Sequence, residues 1–153
     1  MNLTHEIKEL LAEAWIPAIY SKKVRTQRTR AVNIDCPARE NLVEIQYTLL
    51  GIELKVGKTR IACPDLATAR YLRVFARIGC RDTAVPYDIT RISTLADELE
   101  VAWQQMLLLL AEKPEATSRQ RSLLIKQVRL ELETIGAGEI MPEFNQSTKQ
   151  RKN

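Results

Sequence analysis

Apolar residues recur three or four apart at Leu3, Ile7, Leu10, Leu11, Ala14 and Trp15, a spacing that predicts an amphipathic helix ending near Pro17. The next segment, SKKVRTQRTRAVNI, carries Val24, Thr26, Thr29 and Val32 and leans towards an extended strand or arm. Residues 36–51 admit two readings. As a helix, Asp35 caps it, Pro37 sits in the first turn, Gly51 stops it, and Ala38, Leu42, Ile45 and Leu49 share a face. As a strand, Val43, Ile45, Tyr47 and Leu49 alternate with Glu44, Gln46 and Thr48. The length and both end signals favour the helix. IELKV then alternates cleanly, and Gly57-Lys58 fits a two-residue turn into TRIAC, which predicts a hairpin. Asp65 is placed to cap a helix through Ile78 that Gly79 stops. A short strand follows at Thr83–Tyr87, and Pro86 marks it as an edge. From Ser93 the period is helical, with Leu95, Leu99, Ala102, Met106 and Leu109 as a seam and Thr94 and Asp97 spaced as a capping box. A last helix is expected from about Ser118 to Ile135, ended by Gly136 and Gly138. The expected fold is α+β: a small sheet with a β-hairpin, packed by helices, plus a C-terminal helical pair. It occupies one domain over 1–138, and the polar stretch 139–153 reads as a disordered tail.

Composition narrows the function classes. The chain has 153 residues, a one-domain length, with 45% hydrophobic and 27% charged residues, a globular balance. The longest apolar run, Met106 to Ala111, is far below the ~20 residues of a membrane span, and the amino terminus lacks a signal-peptide pattern. Cys36, Cys63 and Cys80 are widely spaced, with no C-x-x-C pair, and read as buried thiols of a reducing, cytoplasmic compartment. His5 is the sole histidine, which disfavours histidine-based acid–base or metal chemistry. An enzyme here would work with carboxylates, lysine or a bound metal.

Charge adds a location. Net charge is +4, and residues 21–91 hold fourteen Lys or Arg against seven Asp or Glu. Two basic elements lie in that stretch. Lys22, Lys23, Arg25, Arg28 and Arg30 form a run without an acid, and Arg70, Arg73 and Arg77 recur at i, i+3 and i+7 on one face of the helix after Asp65. Guanidinium groups bind phosphate bidentately, so both are candidate contacts to a DNA or RNA backbone. The alternative is a solvated helix face paired with nearby acids, and an edge strand protected by charge.

In GIELKV, Glu53 and Lys55 are two apart on an expected strand and point to one face. A carboxylate there can hold Mg²⁺, and the ammonium can orient a water or stabilise charge on phosphate. This spacing resembles the E-x-K half of the PD-(D/E)xK nucleases. The order of an acidic helix, IELKV, a basic helix, glycine and short strand over about residues 5–90 resembles archaeal-type Holliday-junction resolvases within that superfamily. The resemblance implies a Mg²⁺-dependent, usually dimeric endonuclease on branched DNA, with Glu53 as metal ligand, Lys55 as catalytic lysine and Glu9 or Glu13 as helix carboxylate. No Pro-Asp precedes the motif; Asp35, before Cys36-Pro37, is the one aspartate upstream and the candidate for that role.

A second reading is a non-enzymatic assembly factor, possibly a homo-oligomer. Leu107 to Leu110 cover every side of a helix, so some of that surface needs a cover beyond simple two-layer packing.

Overall fold

The computed structural model describes residues 2–138. Helix α1 (Leu3–Leu11) is capped by the Asn2 side chain, which accepts from the His5 N–H at 3.1 Å. It ends at Ala12, whose φ of 51° breaks the helical path, and a three-residue 3₁₀ turn, Ala12–Ala14, follows. Pro17 lies in the first turn of a second piece, α2 (Ile16–Ile19), which continues as a π turn over Tyr20–Val24. The expected stop at Pro17 is therefore a start, because a first turn does not need the N–H that proline lacks. The basic run is likewise not one extended arm. Lys22 and Lys23 are in the π turn, and the strand begins only at Thr29.

The expected small sheet is two sheets. β1 (Thr29–Asn33) pairs antiparallel with β5 (Asp82–Pro86), with Ala31 opposite Ala84. β2 (Val43–Thr48), β3 (Gly51–Val56) and β4 (Thr59–Cys63) form an antiparallel meander. The β3–β4 turn is Gly57-Lys58, as the sequence predicts, with Gly57 at φ +60°.

The helix favoured for 36–51 is thus a loop and a strand. The reason lies in α3 (Leu66–Ile78), over whose C-terminal turn the loop 37–41 folds. The buried Asn41 amide donates to Pro37 O, Arg39 O and Ala76 O at 2.9–3.0 Å, and the Asn41 N–H donates to Arg77 O at 3.0 Å. Two carbonyls at the helix end thus gain donors from outside α3, Arg77 O from the Asn41 N–H and Ala76 O in addition to the Gly79 N–H at 3.1 Å. Gly79 permits this close approach: its φ is +86°, and a Cβ there would lie 2.9 Å from Pro37 O and closer still to the Arg39 backbone.

α3 is capped by Asp65, which accepts from Thr68 N–H at 2.7 Å. α4 (Ile89–Ala111) starts earlier than Ser93: Asp88 is its cap, and Thr94 lies inside it, donating to Thr90 O. α5 (Ser118–Ile135) is capped by Thr117 and ends at Gly136. α4 packs mainly on α3, whereas α5 packs against α1, α2 and α3. The core is continuous through Ile7, Trp15, Tyr20, Leu54, Phe75, Leu99, Met106 and Val128. The architecture is α+β. Among the described residues no helix is long and apolar enough to cross a membrane, and the stretch 139–153 expected as a tail lies outside them.

Candidate functional site

The arginines of α3 meet α4. Arg70 Nη2 lies 2.6 Å from Asp97 Oδ1, and Arg73 and Arg77 both reach Glu100 at 3.2 Å. The Glu100 side chain is only 17% exposed, so this network is an inter-helix clamp rather than an open stripe. No acid lies between Asp65 and Asp82, but the partners stand on the next helix at i and i+3, matching the arginine spacing.

The run 22–30 divides. Lys23 Nζ is 2.6 Å from Glu98 Oε2. Arg25 turns inward, donating to Thr29 Oγ1 at 3.0 Å and Gly138 O at 2.8 Å, while its Nε is buried without a partner. Lys22, Arg28 and Arg30 are exposed, and among the described residues none has a carboxylate within 4.0 Å. The Arg28 guanidinium stacks over the exposed Tyr87 ring, 4.7 Å from its centroid.

These arginines stand beside an open strand edge. Tyr87 N–H donates to Arg28 O and Ile34 N–H to Arg81 O, so the even-numbered residues of β1 bond to β5. The alternation of an antiparallel ladder turns the backbone groups of Thr29, Ala31 and Asn33 outward. The other edge of the pair is closed. At Ala84 the carbonyl accepts from Tyr71 Oη at 2.6 Å, and the N–H donates to Tyr20 Oη at 3.1 Å. Burial raises the pKa of both phenols, Tyr71 most. The arginine-bearing strand is therefore paired to a strand whose far side is bonded to Tyr20 and Tyr71 at Ala84. Sequence reasoning found Arg28 and Arg30 and weighed an edge strand for their segment, but did not bring Tyr87 beside Arg28.

Glu53 and Lys55 share the open face of β3, as their spacing predicts. Across the strands Glu53 faces Gln46 and Ala62, and Lys55 faces Glu44 and Arg60. Glu53 Oε1 is 3.5 Å from Arg60 Nη1. Asp35 lies exposed in the loop after β1, a strand of the other sheet, and Glu9 pairs with His5 on α1 at 3.2 Å. Glu13 is exposed in the 3₁₀ turn. Among the described residues no three acids, histidines or cysteines converge as a metal-holding group. A hollow of about 770 Å³ lies between α1 and α5, lined in part by His5, Lys8, Gln127 and Glu131, with none of Asp35, Glu53 and Lys55 in its wall.

No family model, no curated protein and no solved structure matches this chain.

Proposed function

We propose that the chain contacts the phosphate backbone of a nucleic acid, through Arg28 and Arg30 at the open edge of β1, with Lys22 one turn upstream. The observation that carries this reading is the pair of exposed arginines that have no carboxylate within 4.0 Å among the described residues, beside strand N–H groups that face away from β5. Guanidinium groups and backbone N–H groups are the two donor types that position proteins on phosphates. Arg70, Arg73 and Arg77 serve stability in this reading, since their charge is spent on Asp97 and Glu100. Glu53 and Lys55 form a mixed-charge strand face with Arg60. The reading is of binding, and cleavage is carried only by the E-x-K spacing.

The test is fluorescence anisotropy on linear duplex, four-way-junction and single-stranded DNA across a salt series. Binding weakens with salt, and R28Q/R30Q lowers the log–log slope by about 2, one counterion per lost contact. No binding at low salt, or an unchanged slope in R28Q/R30Q, overturns the proposal. Adding Mg²⁺ last tests the nuclease resemblance, for which cleavage must disappear in Glu53→Ala.

A further inference from the structure

At the corner where β5 hands over to α4, Tyr87 presents an aromatic ring to solvent. The residue is 55% exposed, yet its backbone is held on both sides. Tyr87 N–H donates to Arg28 O at 3.2 Å, Pro86 before it is buried, and Asp88 after it caps α4. The Asp88 carboxylate is turned into that cap, its Oδ1 accepting from Thr90 N–H at 3.0 Å and Thr90 Oγ1 at 2.7 Å. Asp82 and Asp35 lie at the opposite end of the β1–β5 pair. Next to the ring stand cations. The exposed Arg28 guanidinium lies 4.7 Å from the ring centroid, and Arg30 follows two residues along the chain, about 7 Å away at the rise of a strand.

We propose that Tyr87 stacks an unpaired base, which makes single-stranded nucleic acid the preferred ligand of this surface. The inference rests on the phosphate contact at Arg28 and Arg30 and names the strand form which that contact takes. In a duplex both faces of a base are covered by its neighbours, so a ring beside the phosphates gains nothing from it. An unpaired base has a free face to offer. Laid on the Arg28–Tyr87 stack, it leaves water on that face and adds one more layer to a pair already in contact. Arg28 and Arg30 then lie within reach of the phosphates on either side of the stacked nucleotide. Little ordering remains to be done on binding, because the strand bond and the helix cap fix the Tyr87 backbone beforehand. Every base has a stacking face, so the preference is for a strand form and not for a sequence.

The test is fluorescence anisotropy of the full chain with a labelled oligothymidylate, an abasic strand of the same length and a duplex of the same length, each across a salt series. The oligothymidylate is expected to bind more tightly than either control. Tyr87→Ala weakens it about tenfold, the scale of one lost base stack, and leaves the salt slope unchanged because no phosphate contact is lost. The same substitution leaves abasic-strand and duplex binding as they were. Tyr87→Phe keeps the ring and keeps the affinity, and the urea midpoint of Tyr87→Ala is unchanged for a side chain this exposed. Equal binding of the three ligands, or oligothymidylate binding that Tyr87→Ala does not weaken, overturns the stacking and leaves the phosphate contact standing. A loss in Tyr87→Ala that the abasic strand shares marks a structural role for the ring and overturns it as well. No binding of any of the three overturns the phosphate contact itself, and the stacking with it.

Discussion

Single residues hold the joints of this fold. Asn41 offers one amide to three carbonyls, two from its own loop and one from the last turn of α3. Truncating it removes three bonds at the joint between the loop and α3, each neutral bond being worth roughly 1 kcal/mol. Asn41→Ala is expected to lower stability by about 2 kcal/mol in urea unfolding, and Gly79→Ala by at least as much, because the loop backbone leaves no room for a Cβ. Little change in either variant would mean that the loop does not dock on α3. Cys80 makes a second prediction. Burial is the main cause that pushes its thiol from 9.0 up to about 11, with the Thr83 hydroxyl opposing it. The unfolded chain then ionises first as pH rises, so the folded state loses stability from about pH 9 to about 11. The loss is about 3 kcal/mol, at 1.36 kcal/mol per pKa unit. Tyr20 and Tyr71, also raised by burial, extend the decline above pH 10. Unfolding followed from pH 8 to 11 checks this, and Cys80→Ala is expected to flatten the first part of the decline.

At the scale of elements, α3 is the hub. One side carries the β2–β3–β4 meander and another carries α4, so its arginines are enclosed as the two helices close. Glu100 serves two guanidinium groups at once. Glu100→Gln leaves both partly buried without a counter-charge, and the expected loss is about 2 kcal/mol, below the 3–5 of a fully buried pair because water still reaches the arginines. R70Q/R73Q/R77Q is expected to lower the urea midpoint and leave the salt slope of DNA binding unchanged. A fall in slope with unchanged stability would return the α3 arginines to the contact surface. α1 and α5 are tied by a smaller clamp, in which Glu131 accepts from Trp15 Nε1 at 2.8 Å, Lys8 Nζ at 3.0 Å and Gln127 Nε2 at 2.7 Å. Burial opposes ionisation of Glu131, but these three donors outweigh it and hold its pKa below the ordinary value. Its contribution is therefore present above about pH 4.5 and fades as acid protonates it.

For the whole molecule, folding redistributes charge. The chain is basic in its middle and slightly acidic beyond it, and α4 returns carboxylates to the arginines of α3. Eight cations were candidates for phosphate contact; among the described residues Lys22, Arg28 and Arg30 are exposed with no carboxylate within 4.0 Å, while the Arg25 guanidinium is turned in to Thr29 and Gly138. With about 0.9 counterion released per phosphate, the expected duplex-binding slope is about −3 rather than about −7. A slope near −7 would mean that the ion pairs open on binding and that the free-edge reading is too narrow.

The sequence determined what depends on near neighbours: the hairpin turn at Gly57-Lys58, the Asp65 and Gly79 ends of α3, the helical period of α4 and α5, and the shared face of Glu53 and Lys55. Such features follow from backbone geometry over a few residues, and the order of these elements was enough for the α+β class. Tertiary structure decided what depends on distant partners. Residues 36–51 became loop and strand because Asn41 docks on α3, thirty-five residues further along the chain. The arginine stripe became a clamp because its acids arrive on another helix, at separations of 23 and 27 residues. Arg28 and Arg30 have no carboxylate within 4.0 Å among the described residues. One-dimensional spacing records which side chains share a face, but not what that face meets, and it is the meeting that fixes a charged group's energy.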